Sequence, residues 1–362
     1  MKNLRLLALA ALLNFSAVTY AQYSNFVPAN NPEIVYMGRI NNSDPTTPKF
    51  VYPGVQISMR FTGTEIKMKC KPNSGFFMIK IDDNLPFKIE FGEGINEVGL
   101  AKGMPNTKHT VTATLCYEGY QRVPEFHGFV IDGQVENAPK LPTRKLEFIG
   151  DSQTCGYGID DVSGTESKFY DKTENFYYTY AAETARQLNA QYVTVCRSGI
   201  GVYRNYNGPE TGNPKEAMVD IYPLTNFGDP SQNWDYGSYV PDVVCINLGT
   251  NDTSVGTYKK ELLEDGFRKL YKLIRARYPD TNIILIDGCM LNGKSLQDVQ
   301  GAITKIVLEA NESGDVKIFR LDFSPQDGSL GYATHSHPSA RQQKCMAEEL
   351  VPFIRRITNW KD

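Results

Sequence analysis

Four short runs of this chain carry residues able to break an ester. Gly150-Asp151-Ser152 offers a hydroxyl, and Gly249-Thr250-Asn251-Asp252 offers a side-chain amide. Ser198-Gly199-Ile200-Gly201 offers backbone N–H groups with little side chain, and His335-Ser336-His337-Pro338 offers imidazole. Serine is a poor nucleophile near neutral pH until an imidazole takes its proton. The tetrahedral intermediate that follows bears an oxyanion, and one fixed donor to it is worth roughly 3–4 kcal/mol. Ser152 is therefore the candidate nucleophile and His337 the candidate base. The backbone N–H groups of Ser152 and Gly201, with the amide of Asn251, are the candidate oxyanion hole. Glycine at 201 lets the main chain approach a substrate without a Cβ in the way. Each run alone has a plainer reading. Gly-Asp-Ser is usually a turn, Gly199 and Gly201 suit a turn equally well, and Asn251-Asp252-Thr253 matches a glycosylation acceptor.

The elements around these runs decide between the readings. Beyond about residue 145, continuous apolar runs alternate with helix-like spacing. Leu146–Ile149, Tyr192–Val195, Val243–Leu248, Ile283–Ile286 and Val316–Leu321 read as five buried strands. Tyr178–Leu188, Tyr258–Tyr278 and Leu296–Ala310 read as helices between them, and Ser339-Ala-Arg-Gln342 begins a last helix with a capping box. Alternation of this kind gives a parallel sheet covered on both faces by right-handed crossovers. Ligands bind such sheets at the carboxyl ends of the strands. All four runs fall just past those ends, on one rim.

The first part has a different texture. From Phe50 to about Asp132 apolar and polar residues alternate, as in Val55-Gln-Ile-Ser-Met-Arg-Phe61 and Phe77-Met-Ile-Lys-Ile81. Short strands punctuated by Gly, Asn and Pro indicate an antiparallel sandwich of jelly-roll type. Ala138-Pro-Lys-Leu-Pro142 is the linker. The expected organisation is a signal peptide over 1–21, a β-sandwich over 22–140, and over 145–362 a three-layer αβα domain with a five-stranded parallel sheet. The sandwich strands supply none of the four runs, so bond breaking is expected in the second domain and glycan recognition in the first.

Lys2 and Arg5, the apolar stretch Leu6–Leu13 and the small residues before a cut after Ala21 read as an export signal too short to span a bilayer. A secreted or periplasmic protein follows. The 38 basic and 41 acidic residues leave a net charge of −3, which argues against nucleic-acid or anionic-membrane binding, and no later stretch is long or apolar enough to insert in a membrane. Seven cysteines cannot all pair, and none of their spacings is a CxxC metal or redox signature. Cys70, Cys116, Cys196 and Cys245 read as small buried residues, and Cys155 as a packed thiol without a cation to activate it. His109 and His127 lie away from the rim. His335 and His337 lack an apparent third ligand, so no metal and no organic cofactor are expected.

Taken together, the four runs resemble blocks I, II, III and V of the SGNH (GDSL-type) hydrolase superfamily. The longer strings Phe148-Ile-Gly-Asp-Ser-Gln-Thr-Cys-Gly-Tyr-Gly158, Arg197-Ser-Gly-Ile-Gly-Val-Tyr-Arg-Asn205 and His335-Ser-His-Pro-Ser339 resemble carbohydrate esterase family 2. That resemblance covers essentially the whole mature chain and implies a jelly-roll domain followed by an SGNH domain. It implies removal of O-acetyl groups from carbohydrates such as acetylated xylan or mannan, with Ser152 and His337 as the working pair. Two further readings stay open, an esterase for lipid or other short-chain acyl esters and a catalytically weak carbohydrate-binding protein. One departure stands out. Many relatives place Asp two residues before the catalytic histidine, where this chain has His335. Either a backbone carbonyl orients His337, giving a Ser–His dyad, or a distant carboxylate such as Asp327 folds in, with His335 as the other candidate orienting group. Gln153 stands where an aliphatic residue is commoner.

Overall fold

The computed structural model describes residues 24–161, 163 and 168–361, so the expected signal peptide lies outside the described residues. Eight strands come first: β1 (Asn25–Pro28), β2 (Val35–Met37), β3 (Gln56–Cys70), β4 (Gly75–Ile81), β5 (Phe87–Phe91), β6 (Glu97–Leu115), β7 (Phe126–Ile131) and β8 (Gln134–Val135). They form one antiparallel network in the order β1-β7-β3-β6-β4-β5, with β2 and β8 on β3. The long strands β3 and β6 pair along their length with register shifts near Gly63 and Ile66. Such bulges bend a strand, and the bent network encloses its own core of Phe61, Phe77, Phe91, Phe126 and Phe129. Burial alternates along β3 as the sequence period requires.

The second domain is built on β9 (Arg144–Gly150), β10 (Ala190–Cys196), β13 (Val243–Asn247), β14 (Asn282–Asp287) and β15 (Ile318–Asp322). These five are parallel in the order β10-β9-β13-β14-β15, so the chain winds outward in both directions from β9. A small hairpin of β11 (Leu224–Asn226) and β12 (Asp229–Asn233) lies apart from the sheet. Its polar sequence gives no strand pattern. The helices are α1 (Ser152–Cys155), α2 (Tyr180–Gln187), α3 (Met218–Ile221), α4 (Lys260–Arg277), α5 (Gly293–Glu312) and α6 (Ala340–Thr358). Burial of Val244, Ile246, Ile283 and Leu285 on one face and Phe148, Cys245, Ile284 and Ile286 on the other explains the continuous apolar runs. Ser339 caps α6 by accepting from the Gln342 N–H at 3.2 Å.

The domains share packing. Val51 and Tyr52 from the first belong to the hydrophobic core under α4 and α5, and Met37 belongs to the core on the opposite face. Arg39 is fully buried. Its guanidinium donates to Glu147 Oε1 on β9 at 3.0 Å and to the Leu224 carbonyl at 2.9 Å. The rings of Tyr222 and Trp234 lie 5.0 and 5.2 Å from its centre. A buried charge of this kind persists only where a partner and hydrogen bonds compensate its lost hydration.

Candidate active site

β9 delivers the nucleophile. It ends at Gly150, the chain turns at Asp151, and Ser152 begins the one-turn helix α1. Asp151 caps that turn by accepting the Gln153 N–H at 3.0 Å. Ser152 Oγ lies 2.8 Å from His337 Nε2. The other ring nitrogen, Nδ1, lies 3.0 Å from the Thr334 carbonyl. A carbonyl only accepts, so Nδ1 carries the proton and Nε2 faces the serine as a base. Burial lowers the His337 pKa to about 4, which keeps the imidazole neutral at physiological pH. Tyr157 covers the imidazole, with ring centroids 4.4 Å apart, and is itself stacked on Phe169 at 4.0 Å.

A tight turn makes the Thr334 carbonyl available. His335 and Ser336 both have positive φ, 52° and 60°, so the chain doubles back and His337 meets its own third predecessor. Gly158 takes φ 64°, and a Cβ there would lie 2.3 Å from the Thr334 side chain. The last glycine of the Cys-Gly-Tyr-Gly158 string thus lets this turn seat against α1. His335 points elsewhere, with Nδ1 3.1 Å from the Tyr157 hydroxyl. Asp327 is turned to its own loop, accepting the Ser329 N–H at 2.9 Å.

The oxyanion candidates sit around the serine with their donors in different states. Asn251 Nδ2 donates to the Ile200 carbonyl at 2.9 Å and to Asp151 Oδ2 at 3.2 Å. Burial and the nearby Asp252 push the Asp151 carboxyl up to about 7. Gly201 N–H donates to Asn205 Oδ1 at 3.1 Å. In a trans peptide the carbonyl and N–H point to opposite sides, so the Gly201 N–H points away from the Asn251 amide. The Ser152 N–H, as the first of a helix, and the Gly199 N–H donate no hydrogen bond to the described residues.

Glycine at 201 also has a packing reason. A Cβ there would stand 2.1 Å from the Arg204 carbonyl and 2.5 Å from Asp252 Oδ2. Asp252 gathers the N–H groups of Val202, Tyr203 and Arg204, each at 3.0 Å, and so holds the loop after β10. Its adjacency to Asn251 was the available signal for that role. Gln153 also acquires a reason, since its amide donates to Thr250 Oγ1 at 3.1 Å and accepts from Cys289 Sγ at 3.4 Å. It ties the nucleophile turn to the loop bearing Asn251.

Residues set aside by sequence lie outside this constellation. His109 bridges Asp82 and the Pro105 carbonyl, and His127 meets Glu125. All seven cysteines are free thiols, and burial raises the Cys155 pKa well above its usual value.

Comparison with known proteins places this arrangement. Residues 36–139 match the family described as carbohydrate esterase 2 N-terminal, and residues 148–344 match the GDSL-like lipase/acylhydrolase family. A family two carbohydrate esterase from Clostridium thermocellum, solved in complex with cellohexaose, is 37% identical with a TM-score of 0.84. The match covers 91% of this chain and all of that one. The chain belongs to carbohydrate esterase family 2. The esterase is also 29% identical to an acetylxylan esterase/glucomannan deacetylase of Cellvibrio japonicus, over 92% of this chain and 91% of that protein. A cellulase/esterase of Acetivibrio thermocellus is 36% identical over 94% of this chain, which spans 41% of that relative's length. The two family segments meet near the expected linker, and the five-stranded parallel sheet lies in the hydrolase segment. Among the described residues, no helix is long and apolar enough to cross a membrane.

Proposed function

We propose that this esterase removes O-acetyl groups from acetylated oligo- or polysaccharides through an acyl-enzyme on Ser152. The observation that carries the reading is the 2.8 Å contact of Ser152 Oγ with His337 Nε2, backed by a carbonyl at Nδ1. His337 takes the serine proton as Oγ adds to the acetyl carbonyl. The carbonyl oxygen becomes an oxyanion received by the Ser152 and Gly199 N–H groups, with the Asn251 amide turning to it from the Ile200 carbonyl and Asp151. Collapse breaks the bond to the sugar oxygen, which leaves with the proton from His337. A water then gives its proton to the same nitrogen, attacks the acyl carbon and releases acetate while Ser152 recovers its proton.

The charge on the imidazolium during these steps is met by the Thr334 carbonyl dipole rather than by a carboxylate, so the working unit is a dyad. No step needs a metal or an organic cofactor. Carbohydrate as the partner is supported by the named activities of the relatives and by the cellohexaose complex of one of them. Export through the signal at 1–21, cut after Ala21, brings the enzyme to such glycans. Acetate release from a panel of acetylated sugars, measured beside long-chain acyl esters, tests the substrate class. A preference for the longer acyl chains refutes it. Ser152→Ala abolishes turnover on every ester in the panel, and an organophosphonate labels Ser152 stoichiometrically. Retained turnover in that variant refutes the nucleophile.

A further inference from the structure

The loop after β10 carries Gly199 and Gly201, and most of its backbone polar groups are tied down. Arg197 N–H donates to the Gly150 carbonyl at 3.2 Å, and the Gly199 carbonyl accepts from Tyr206 N–H at 2.7 Å. The Ile200 carbonyl accepts from Asn251, and Gly201 N–H is held by Asn205. The remaining tether comes from the other domain. Ser198 N–H donates to Glu118 Oε1 at 2.7 Å, and Glu118 lies in the segment between β6 and β7 of the sandwich.

Glu118 is itself held. Its N–H donates to Glu174 Oε2 at 3.4 Å, and a carboxylate oxygen of each residue lies within 4.8 Å of the other. Glu174 is almost fully buried, so it is the member that burial favours as the neutral acid. Burial pushes its carboxyl well up, and more than that of Glu118, which also has the Ser198 N–H and Arg197 to favour its charge. Cys155 Sγ lies in the same cluster, within 4.8 Å of a carboxylate oxygen of each. Burial raises its thiol well above the ordinary pKa. Glu174 and Glu118 together clamp the loop after β10 through the Ser198 N–H.

We propose that Glu118 is a positioning residue for the esterase reaction: its carboxylate, delivered by the sandwich, fixes the Ser198 N–H and thereby the loop that presents Gly199 to the oxyanion, with Glu174 accepting the backbone N–H of Glu118. The inference rests on Ser152 as nucleophile. It departs from the expectation that the sandwich serves glycan recognition alone. Displacement of an oxyanion donor by about 1 Å costs up to 10²-fold in rate without weakening ground-state binding.

The test uses the full chain and 4-nitrophenyl acetate, a substrate too small to need glycan contacts. Glu118→Ala lowers kcat roughly 10- to 100-fold with KM within about twofold, at unchanged thermal midpoint. Glu118→Gln keeps an acceptor for Ser198 and stays within about fivefold of wild type. Glu118→Asp withdraws the oxygen by one methylene and falls below Gln. Glu174→Gln keeps an oxygen acceptor for the Glu118 N–H and stays within about fivefold of wild type. If Glu118→Ala does not fold, the order Gln above Asp carries the test. Wild-type kcat in a folded Glu118→Ala, a loss confined to polymeric substrate, or Asp equal to or better than Gln each overturns the proposal. So does a stoichiometric metal in the purified enzyme that leaves on Glu174→Ala. Ser152→Ala run alongside separates the two claims, because activity in that variant defeats the nucleophile, whereas an inactive Ser152→Ala beside an unaffected Glu118→Ala defeats the clamp alone.

Discussion

The depressed basicity of His337 makes a quantitative prediction for acid tolerance. The ring is buried and its Nδ1 faces a carbonyl dipole rather than a carboxylate, so burial outweighs what favours a positive charge. Its folded pKa of about 4 lies below the ordinary 6.5, so the base stays neutral, and the enzyme active, as pH falls through 6.5. At pH 5.5 a base with pKa 4 is roughly 97% neutral and one with pKa 6.5 roughly 9%, a tenfold difference in competent enzyme. The chain holds four histidines, which makes direct titration by nitrogen-15 NMR practicable, with His337 assigned by its absence in His337→Asn. Its resonance stays in the neutral Nδ1–H form down to about pH 5. His335→Asp is the matched perturbation. It places a carboxylate near the ring and removes the neighbouring imidazole, both of which favour the charged form, so the titration moves up toward neutrality. An activity loss at acid pH accompanies that shift. If wild-type His337 titrates within half a unit of 6.5, or if His335→Asp leaves its titration unmoved, this account of the dyad is wrong.

Three other outcomes follow from contacts described above. Asn251→Ala lowers kcat by roughly 10² to 10³ with little change in KM, since its amide serves the oxyanion, and steady-state kinetics on a small acetyl ester reads the split. His335→Ala costs at most about tenfold, because a carbonyl rather than this residue orients His337, and the same assay checks it. Arg39→Ala leaves Glu147 buried without its partner and destabilises the fold by about 3–5 kcal/mol, visible as a lowered midpoint in denaturant.

Reading strand ends gathered the four runs on one rim because topology concentrates chemistry there, and the structure sets Ser152 Oγ beside His337 Nε2, the pair that residue types alone suggested. The same logic placed all five parallel strands, whose burial on both faces leaves an unmistakable apolar run. What escaped was carried by atoms that sequence does not distinguish. A main-chain carbonyl is among the expected partners of His337, but that it belongs to Thr334 follows only from the left-handed backbone of His335 and Ser336. Gly201 looked suited to substrate approach, yet the space beside it is filled by Asp252 and Arg204. Arg39 and Glu118 act 108 and 80 positions away from Glu147 and Ser198 in the chain, and no local pattern announces a partner at that distance. The hairpin at 224–233 has only Leu224 and Phe227 as large apolar residues and so lacks the alternation that marks the other antiparallel strands.

The proline-bounded linker at 138–142 invites treatment as a cut site for modular engineering, but the shared packing makes it a poor recombination boundary. A chimaera joined there exchanges Met37, Arg39, Val51 and Tyr52 for residues chosen against a different hydrolase surface. Libraries that cross over at 138–142 should therefore yield mostly misfolded hybrids, unless Glu147, Tyr222 and Trp234 travel with the sandwich that selected them. In heredity as in folding, the unit here is the pair of lobes, and sequence drift in one is felt as a constraint on the other.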